Sequence, residues 1–427
     1  MRMRTSLKGI AAVTCAMALA ACASGGDSND NGTDGEGETL DLWIMEGTNT
    51  SSDEYIEDLK EAFKDETGAD LNVQLQPWDG AHDKFVTSFA GETAPDVAEV
   101  GTTWTPEFAD LGVMVDLTDR VAEEDLNLVE SLEEAGTIDG QLYGMPWYAG
   151  VRSFLYNKEL FDEAGIDEPP TSWDELDDAI EKLSDLDDVI PFPIAGGSQY
   201  GMLPFIWGAG GDVAVQEGDS WTSTIDSPEA VEGLEYYTDL SLEKGSSTSA
   251  ADTWEETDSL DAFQDGDIGM VISGSWTTAT IEEENPDFLD DVGAFVIPAK
   301  DGGMAPSFVG GSHLGVFENT ENEDLAWELV KLMSIGDLAE EWADQSNYFP
   351  GDEELLDEAL NSDDEFVTVF AEQMRDGGAS VPPSPQWGEI EGEQIIPTLL
   401  QSVLTEKATA QEAAENAANS MNDAFEN

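Results

Sequence analysis

His82 and His313 are the only histidines in this 427-residue chain, too few for a histidine metal cluster or an H-E-x-x-H zinc helix. The stretch GGSHLG from Gly310 approaches a G-x-S-x-G nucleophile elbow, but Leu314 stands where the last glycine is needed. No P-loop or G-x-G-x-x-G follows a strand pattern. A pair of carboxylates could hydrolyse a glycoside, yet among 94 acidic residues no pair is singled out. A calcium-loop pattern, D-x-[DN]-x-[DN]-G-x5-E, runs from Asp27 to Glu38 with Gly32 at the turn. It lacks flanking helices, and Asp34 sits where such a loop buries an apolar side chain, so a solvated tether is expected there. No catalytic residue, cofactor or metal ligand is expected.

What does stand out is aromatic side chains in polar, glycine-rich loops. Trp104 lies in GTTWTPE, Trp147 and Tyr148 in GMPWYAGVR, Trp207 in PFIWGAGG, Trp276 in SGSWTT and Trp387 in SPQWGEI. Flat apolar faces beside hydrogen-bonding groups suit a ligand that is polar at its edges and apolar on its faces, as a sugar ring is. Any one of these rings could equally anchor a loop to a core.

The chain opens with Arg2, Arg4 and Lys8, then an apolar run too short to span a bilayer. That run ends in LAAC at Cys22, a spacing that resembles the lipobox of bacterial lipoproteins; cleavage of an ordinary secretory leader is the alternative. Residues 1–21 are read as the leader, Cys22 as the acylated anchor and 22–38 as the tether. Cys15 would leave with the leader, so the mature chain would have no disulfide. The formal net charge is −79, from 94 acidic against 15 basic residues. Nucleic acid and anionic membrane surfaces would be repelled. The acids are scattered through every segment, the pattern expected of a surface adapted to high salt or high pH. Twelve Trp and 17 Phe exclude an acidic disordered chain.

The elements that must position the aromatic loops alternate. TLDLWIM, from Thr39, reads as a strand, and the helix after it places Ile56, Leu59 and Phe63 on one stripe before Gly68. LNVQL, DKFVTSFAGE and PDVAEV continue as strand, helix and strand. TSWDELDDAIEKLSDL then reads as a capped helix, PFPIAGG as a strand, FQDGDIGMVISGSW as a strand into a loop, and the chain from Glu323 as mostly helix. The rhythm predicts an α/β fold with a mainly parallel sheet and ligand sites beyond the strand carboxyl ends.

Over nearly the whole mature chain these motifs resemble the solute-binding lipoproteins of bacterial sugar ABC importers, extracellular solute-binding protein family 1, which are maltose-binding-protein-like. The residues that carry it are GETAPDVAEV, ADLGVMVDLTD, LYGMPWYAGVRSFLYNKELFDEAGIDEPPTSWDEL, FQDGDIGMVISGSW, FVGGSHLGVF and the Ala-rich last helix. The resemblance implies a periplasmic-binding-protein type II fold, two α/β lobes joined by three crossovers with the ligand between them. Lobe one would comprise 39–146 and 276–319, and lobe two 150–272 and 323–427. The crossovers would lie near Pro146 to Gly150, Ser273 to Ser275 and Thr320 to Asn322. Contacts carried over by position are Glu46, Thr48, Thr103, Trp104, Tyr148, Arg152, Trp207, Trp276, Gly310, Gly311, Ser312 and Trp387. Arg152 would grip two hydroxyls or, alternatively, pair with a surface acid. Gly150 stands where relatives often carry an acid, and His313 where they often carry a small or amide side chain.

The function implied is that of a monomeric, lipid-anchored receptor outside the cell membrane, delivering a mono- to oligosaccharide to permease subunits without chemistry. A binding protein for another solute, such as an osmolyte, and a secreted glycosidase are the alternatives.

Overall fold

Alternation of strand and helix begins at Thr39 in the computed structural model, which describes residues 35, 37–49, 51–78, 80–91, 93–218 and 220–426. The leader, Cys22 and residues 27–34 of the calcium-like pattern lie outside the described residues. The strand Thr39–Met45 buries Leu40, Leu42 and Ile44, and the helix Ser52–Thr67 lays Tyr55, Leu59 and Phe63 in the same core. That helix stops where Gly68 turns left-handed, at φ 77°, and returns its N–H to the Lys64 carbonyl. Strands Asp70–Gln76 and Val97–Gly101 flank Thr39–Met45 in parallel.

Across the main sheet the strands run Val292–Phe295, Gly144–Asn157, Ser307–Val316, Val97–Gly101, Thr39–Met45, Asp70–Gln76. The 14-residue strand Gly144–Asn157 serves both lobes. From Gly144 to Val151 it pairs with Ser307–Val316; from Arg152 onward it pairs with Met270–Gly274 and Val292–Phe295. All of these pairings are antiparallel. A mainly parallel sheet is therefore corrected: parallel pairing covers the first three strands and a two-residue contact between Ser307–Phe308 and Gly378–Ala379. PFPIAGG is not a strand either. Pro191 and Pro193 have no N–H to give a ladder, and the stretch is held by single bonds to a distant loop, Phe192 N–H to Ser246 O and Ile194 N–H to Ser247 Oγ.

Packing also redraws the segments after the hinge. Val292–Phe295, expected in lobe one, adds to the lobe-two half of the long strand through its register with Phe154–Asn157. The helices Glu323–Ser334 and Asp337–Ser346, expected in lobe two, bury Trp327, Val330, Met333 and Trp342 in the core built on Tyr55 and Phe63. Tyr55 and Trp342 meet edge to face at 4.9 Å. Each helix shows an apolar stripe, and the stripe follows the surface that covers it. The second lobe gathers around Phe154, Trp173, Phe205, Tyr237 and the last two helices, Ile395–Leu404 and Ala410–Phe425.

Basic side chains are spent on ion pairs such as Lys64–Asp70, Arg120 with Asp324 and Glu323, and Lys331 with Glu124 and Glu328, leaving most carboxylates to repel one another. The melting temperature is expected to fall as salt is withdrawn, because screening weakens this repulsion; a melting point indifferent to salt would contradict a surface under charge stress.

Candidate functional site

Where the long strands cross between the lobes, a cleft of about 310 Å³ is lined by residues from both. Its first-lobe wall is Thr48, Trp78 and the loop Gly101–Trp104; its floor is Tyr148, Gly310, Gly311 and Ser312; its far wall is Arg152, Tyr200, Trp276, Phe308 and Tyr348. A larger cavity, about 420 Å³, lies on the other side of Tyr348 among Leu355, Phe366 and Phe370, and none of the site residues expected from sequence lines it.

The far wall is built by bare backbone. Tyr148 and Arg152 line the cleft, and at Gly150 between them an added Cβ would meet the Trp276 ring at 2.4 Å and Tyr348 at 3.1 Å. At Gly274, opposite Arg152 in the pairing, a Cβ would meet the same indole at 2.1 Å. Trp276 thus rests on two glycines of adjacent strands, with Tyr348 stacked on it at 5.3 Å and 15°. The missing acid at position 150 is explained: the indole and Tyr348 occupy that space.

Arg152 is neither a free fork nor a surface ion pair. Its Nε donates to Glu256 Oε2 at 3.0 Å, both side chains being largely buried. Its guanidinium carbon lies 4.3 Å from the Tyr200 ring, 5.0 Å from Trp276 and 5.5 Å from Phe308. These rings hold the cation by their faces, and Tyr200 and Phe308 stack on each other at 4.6 Å. With Nε engaged, the terminal N–H groups are the part left to meet a ligand.

On the other wall, Trp104 meets Trp78 edge to face at 5.6 Å, and the Trp78 indole N–H reaches Thr48 Oγ1 at 3.4 Å. Beneath the floor Glu99 is fully buried. It accepts from the Met45 N–H at 2.7 Å, from Ser312 Oγ at 2.8 Å and from the Tyr148 hydroxyl. Burial pushes the Glu99 carboxyl up to about 7, against the pull of those three donors. The folded state therefore holds this proton more tightly than the unfolded chain, whose ordinary value is 4.5. Its stabilising contribution is full below that value and is lost as pH rises through about 7. Unfolding free energies of wild type and Glu99→Gln should diverge accordingly, wild type losing up to about 3 kcal/mol relative to the variant across that window. A pH-independent difference would contradict the assignment.

Of the twelve residues expected from sequence, nine meet in this cleft: Thr48, Thr103, Trp104, Tyr148, Arg152, Trp276, Gly310, Gly311 and Ser312. Three do not line it. Glu46 is exposed beyond the end of its strand. Trp207 packs against the second-lobe core and donates its indole N–H to Asp212 at 3.2 Å. Trp387 is wholly buried in that core; its indole N–H lies near Glu391 without reaching hydrogen-bond geometry. Trp147, another loop aromatic, packs on Trp342 at 4.3 Å in the first core. His313 also turns inward, to Thr105 Oγ1 at 2.8 Å and Leu132 O at 3.0 Å, and burial pushes it down to about 4, so it stays neutral.

Trp78, Tyr200, Phe308, Tyr348, Glu99 and Glu256 were not identified by sequence reasoning. Phe308 stands beside the GGS stretch and Tyr200 follows GGSQ, so the glycine-rich context that marked the other aromatics also marks these. Tyr200 opens onto a neighbouring cavity of about 400 Å³ that includes Gln199, Glu256 and Glu391. Gln199 and Tyr200 donate to Glu391 at 3.1 and 3.3 Å.

Known proteins are similar to this chain in sequence and in fold. The family model for bacterial extracellular solute-binding proteins matches residues 47–334. The diacetylchitobiose binding protein DasA of Streptomyces coelicolor is 31% identical over 405 residues, 93% of each chain. A solute binding protein of Thermotoga lettingae, solved with alpha-D-tagatose, is 27% identical at TM-score 0.73, covering 91% of this chain and all of its own. The sugar-binding protein MalE of Xanthomonas citri superimposes at TM-score 0.81 with 20% identity, over 91% of this chain and 97% of that one, which speaks for the fold. A family match over most of the folded chain, and a relative alike from end to end, agree with the two-lobed architecture: this chain belongs to the bacterial extracellular solute-binding proteins and has their type II periplasmic-binding-protein fold.

Proposed function

We propose that this protein captures a sugar in the interlobe cleft and hands it to the permease subunits of an ABC importer, tethered outside the cell membrane through Cys22. The observation that carries the reading is the Trp276 indole, seated on Gly150 and Gly274 and lining the cleft together with Arg152 and Tyr148. A pyranose or furanose ring has an apolar face for the indole and edge hydroxyls for the polar groups. The cleft volume falls at the small end of ligand sites, and the cavity beyond Tyr200 offers room for a second residue of an oligosaccharide. The strands Gly144–Asn157 and Ser307–Val316, with the segment around Phe349–Pro350, supply the hinge about which the lobes would close. Contacts to both walls favour the closed state, which a permease can distinguish from the open one.

Arg152 argues against a quaternary amine, since a guanidinium already fills the box formed by Tyr200, Trp276 and Phe308. Hydrolysis needs two carboxylates beside the bond; in the neighbouring cavity Glu256 is engaged by Arg152, and Glu391 by Gln199 and Tyr200. A thermal-shift panel of diacetylchitobiose, D-tagatose, maltose and glycine betaine is expected to show stabilisation by at least one sugar and none by betaine. Stabilisation by betaine alone would overturn the substrate class. Palmitate should label wild type and not Cys22→Ala; equal labelling would remove the anchor.

A further inference from the structure

Glu99 has no part in the cleft surface, being fully buried, yet it joins three segments that form it. Its Oε2 takes the N–H of Met45, the last residue before the loop that presents Thr48. Its Oε1 takes the hydroxyls of Tyr148, from the long crossing strand, and Ser312, from the second one. Among the described residues it has no ion-pair partner; the three hydrogen bonds are what compensate its burial.

A phenol and a serine hydroxyl each own one proton. Ser312 is wholly buried, and its hydroxyl lies within reach of Glu99 Oε1 and, at 3.1 Å, of Tyr148 Oη, so this hydroxyl braces the tyrosine and does not itself meet the cleft. Tyr148 Oη, 3.4 Å from Thr48 Oγ1 at the cleft, has only lone pairs to offer once its proton points down to Glu99. We propose that Glu99, when ionised, is a positioning residue that sets the cleft floor at Tyr148 as a hydrogen-bond acceptor, so that the bound molecule must present a donor, a hydroxyl or N–H, at Tyr148. A carbonyl, an ether or a fluorine at that place meets lone pair against lone pair. The inference rests on the reading of this cleft as a sugar site, and it assigns that sugar a free hydroxyl or an amide N–H at the floor.

Glu99→Gln changes the polarity while keeping the shape. The amide oxygen is needed by the Met45 N–H, so the amide N–H groups face Tyr148 and Ser312, and the Tyr148 proton is released toward the cleft. Neutron diffraction on the deuterium-exchanged wild-type protein, at a pH above the carboxyl's titration, reads the positions directly without substitution, and binding is compared at that same pH. The Tyr148 deuteron is expected on the Glu99 side; a deuteron pointing into the cleft overturns the proposal. Binding of diacetylchitobiose and its monodeoxyfluoro derivatives supplies the second readout. Wild type is expected to lose about tenfold or more in affinity when the floor hydroxyl becomes fluorine, and Glu99→Gln to lose less than about threefold. Equal penalties in both proteins would leave Glu99 a merely structural residue and overturn the proposal. If the deuterons sit as expected but no sugar binds wild type, the sugar reading fails while the floor polarity stands.

Discussion

Alanine at position 274 is expected to weaken sugar binding by about 10- to 100-fold, the order of losing one aromatic anchor. A Cβ there would lie 2.1 Å from the Trp276 ring, closer than any real carbon contact, and the ring has Gly150 beneath it on the neighbouring strand. The indole must leave its seat. Overpacking of this kind also costs roughly 1–3 kcal/mol of stability, so affinity has to be compared where both proteins are folded. The mechanism is specific enough for a double-mutant cycle. Trp276→Ala should lose affinity to a similar extent, and adding Gly274→Ala to it should cost little more, since the methyl enters space the indole has vacated. Calorimetric titration of the four proteins measures this. Losses that add in the double variant would show that Gly274 acts by another route.

Trp387→Ala is expected to do the opposite. Trp387 is completely buried among Phe205, Ile390 and the last two helices of the second lobe, so truncation should lower unfolding free energy by about 3–5 kcal/mol. Affinity for the sugar, measured well below the melting temperature, should stay within about threefold, because the side chain does not line the cleft. Denaturant unfolding together with titration separates the two effects. A loss of affinity without loss of stability would return Trp387 to the binding site.

These two tryptophans mark how far the sequence can be read. Both stand in polar, glycine-containing loops, SGSW and SPQWG, and loop context alone gives them equal claims. What separates them is what lies beneath. Trp276 sits on two strands that offer glycine and lines the cleft, whereas Trp387 opens a helix and is wholly buried. Strand and helix periodicity located the elements from Thr39 to Gly101 and the helix Trp173–Ser184, because local pattern decides them. The partner of an apolar stripe is a long-range matter. The stripe of Glu323–Ser334 is plain in the sequence, while its docking onto Ser52–Thr67, in the first lobe, is settled by the course of Ser307–Val316 across the hinge.

Glu99 illustrates a different limit. It is one of 94 acidic residues, and in such a chain a carboxylate carries no signal until its burial is known. Its strand PDVAEV is nevertheless legible, and strand alternation sends Glu99 and Ala98 to opposite faces. Tyr348 was hidden for the converse reason. Aromatics in the helix-rich end of the chain look like core, and this one is turned to the cleft by its position beside the short strand Phe349–Pro350.

The central claim is that the Trp276 face, Arg152 and the Tyr148–Ser312 floor together hold a sugar between the lobes. Protein purified in native conditions and crystallised with a sugar that stabilises it tests this most directly. The account predicts density for one sugar ring against Trp276, with hydroxyls at the Arg152 terminal N–H groups and a donor directed at Tyr148. Density for the sugar elsewhere, with no sugar in contact with Trp276, would contradict it.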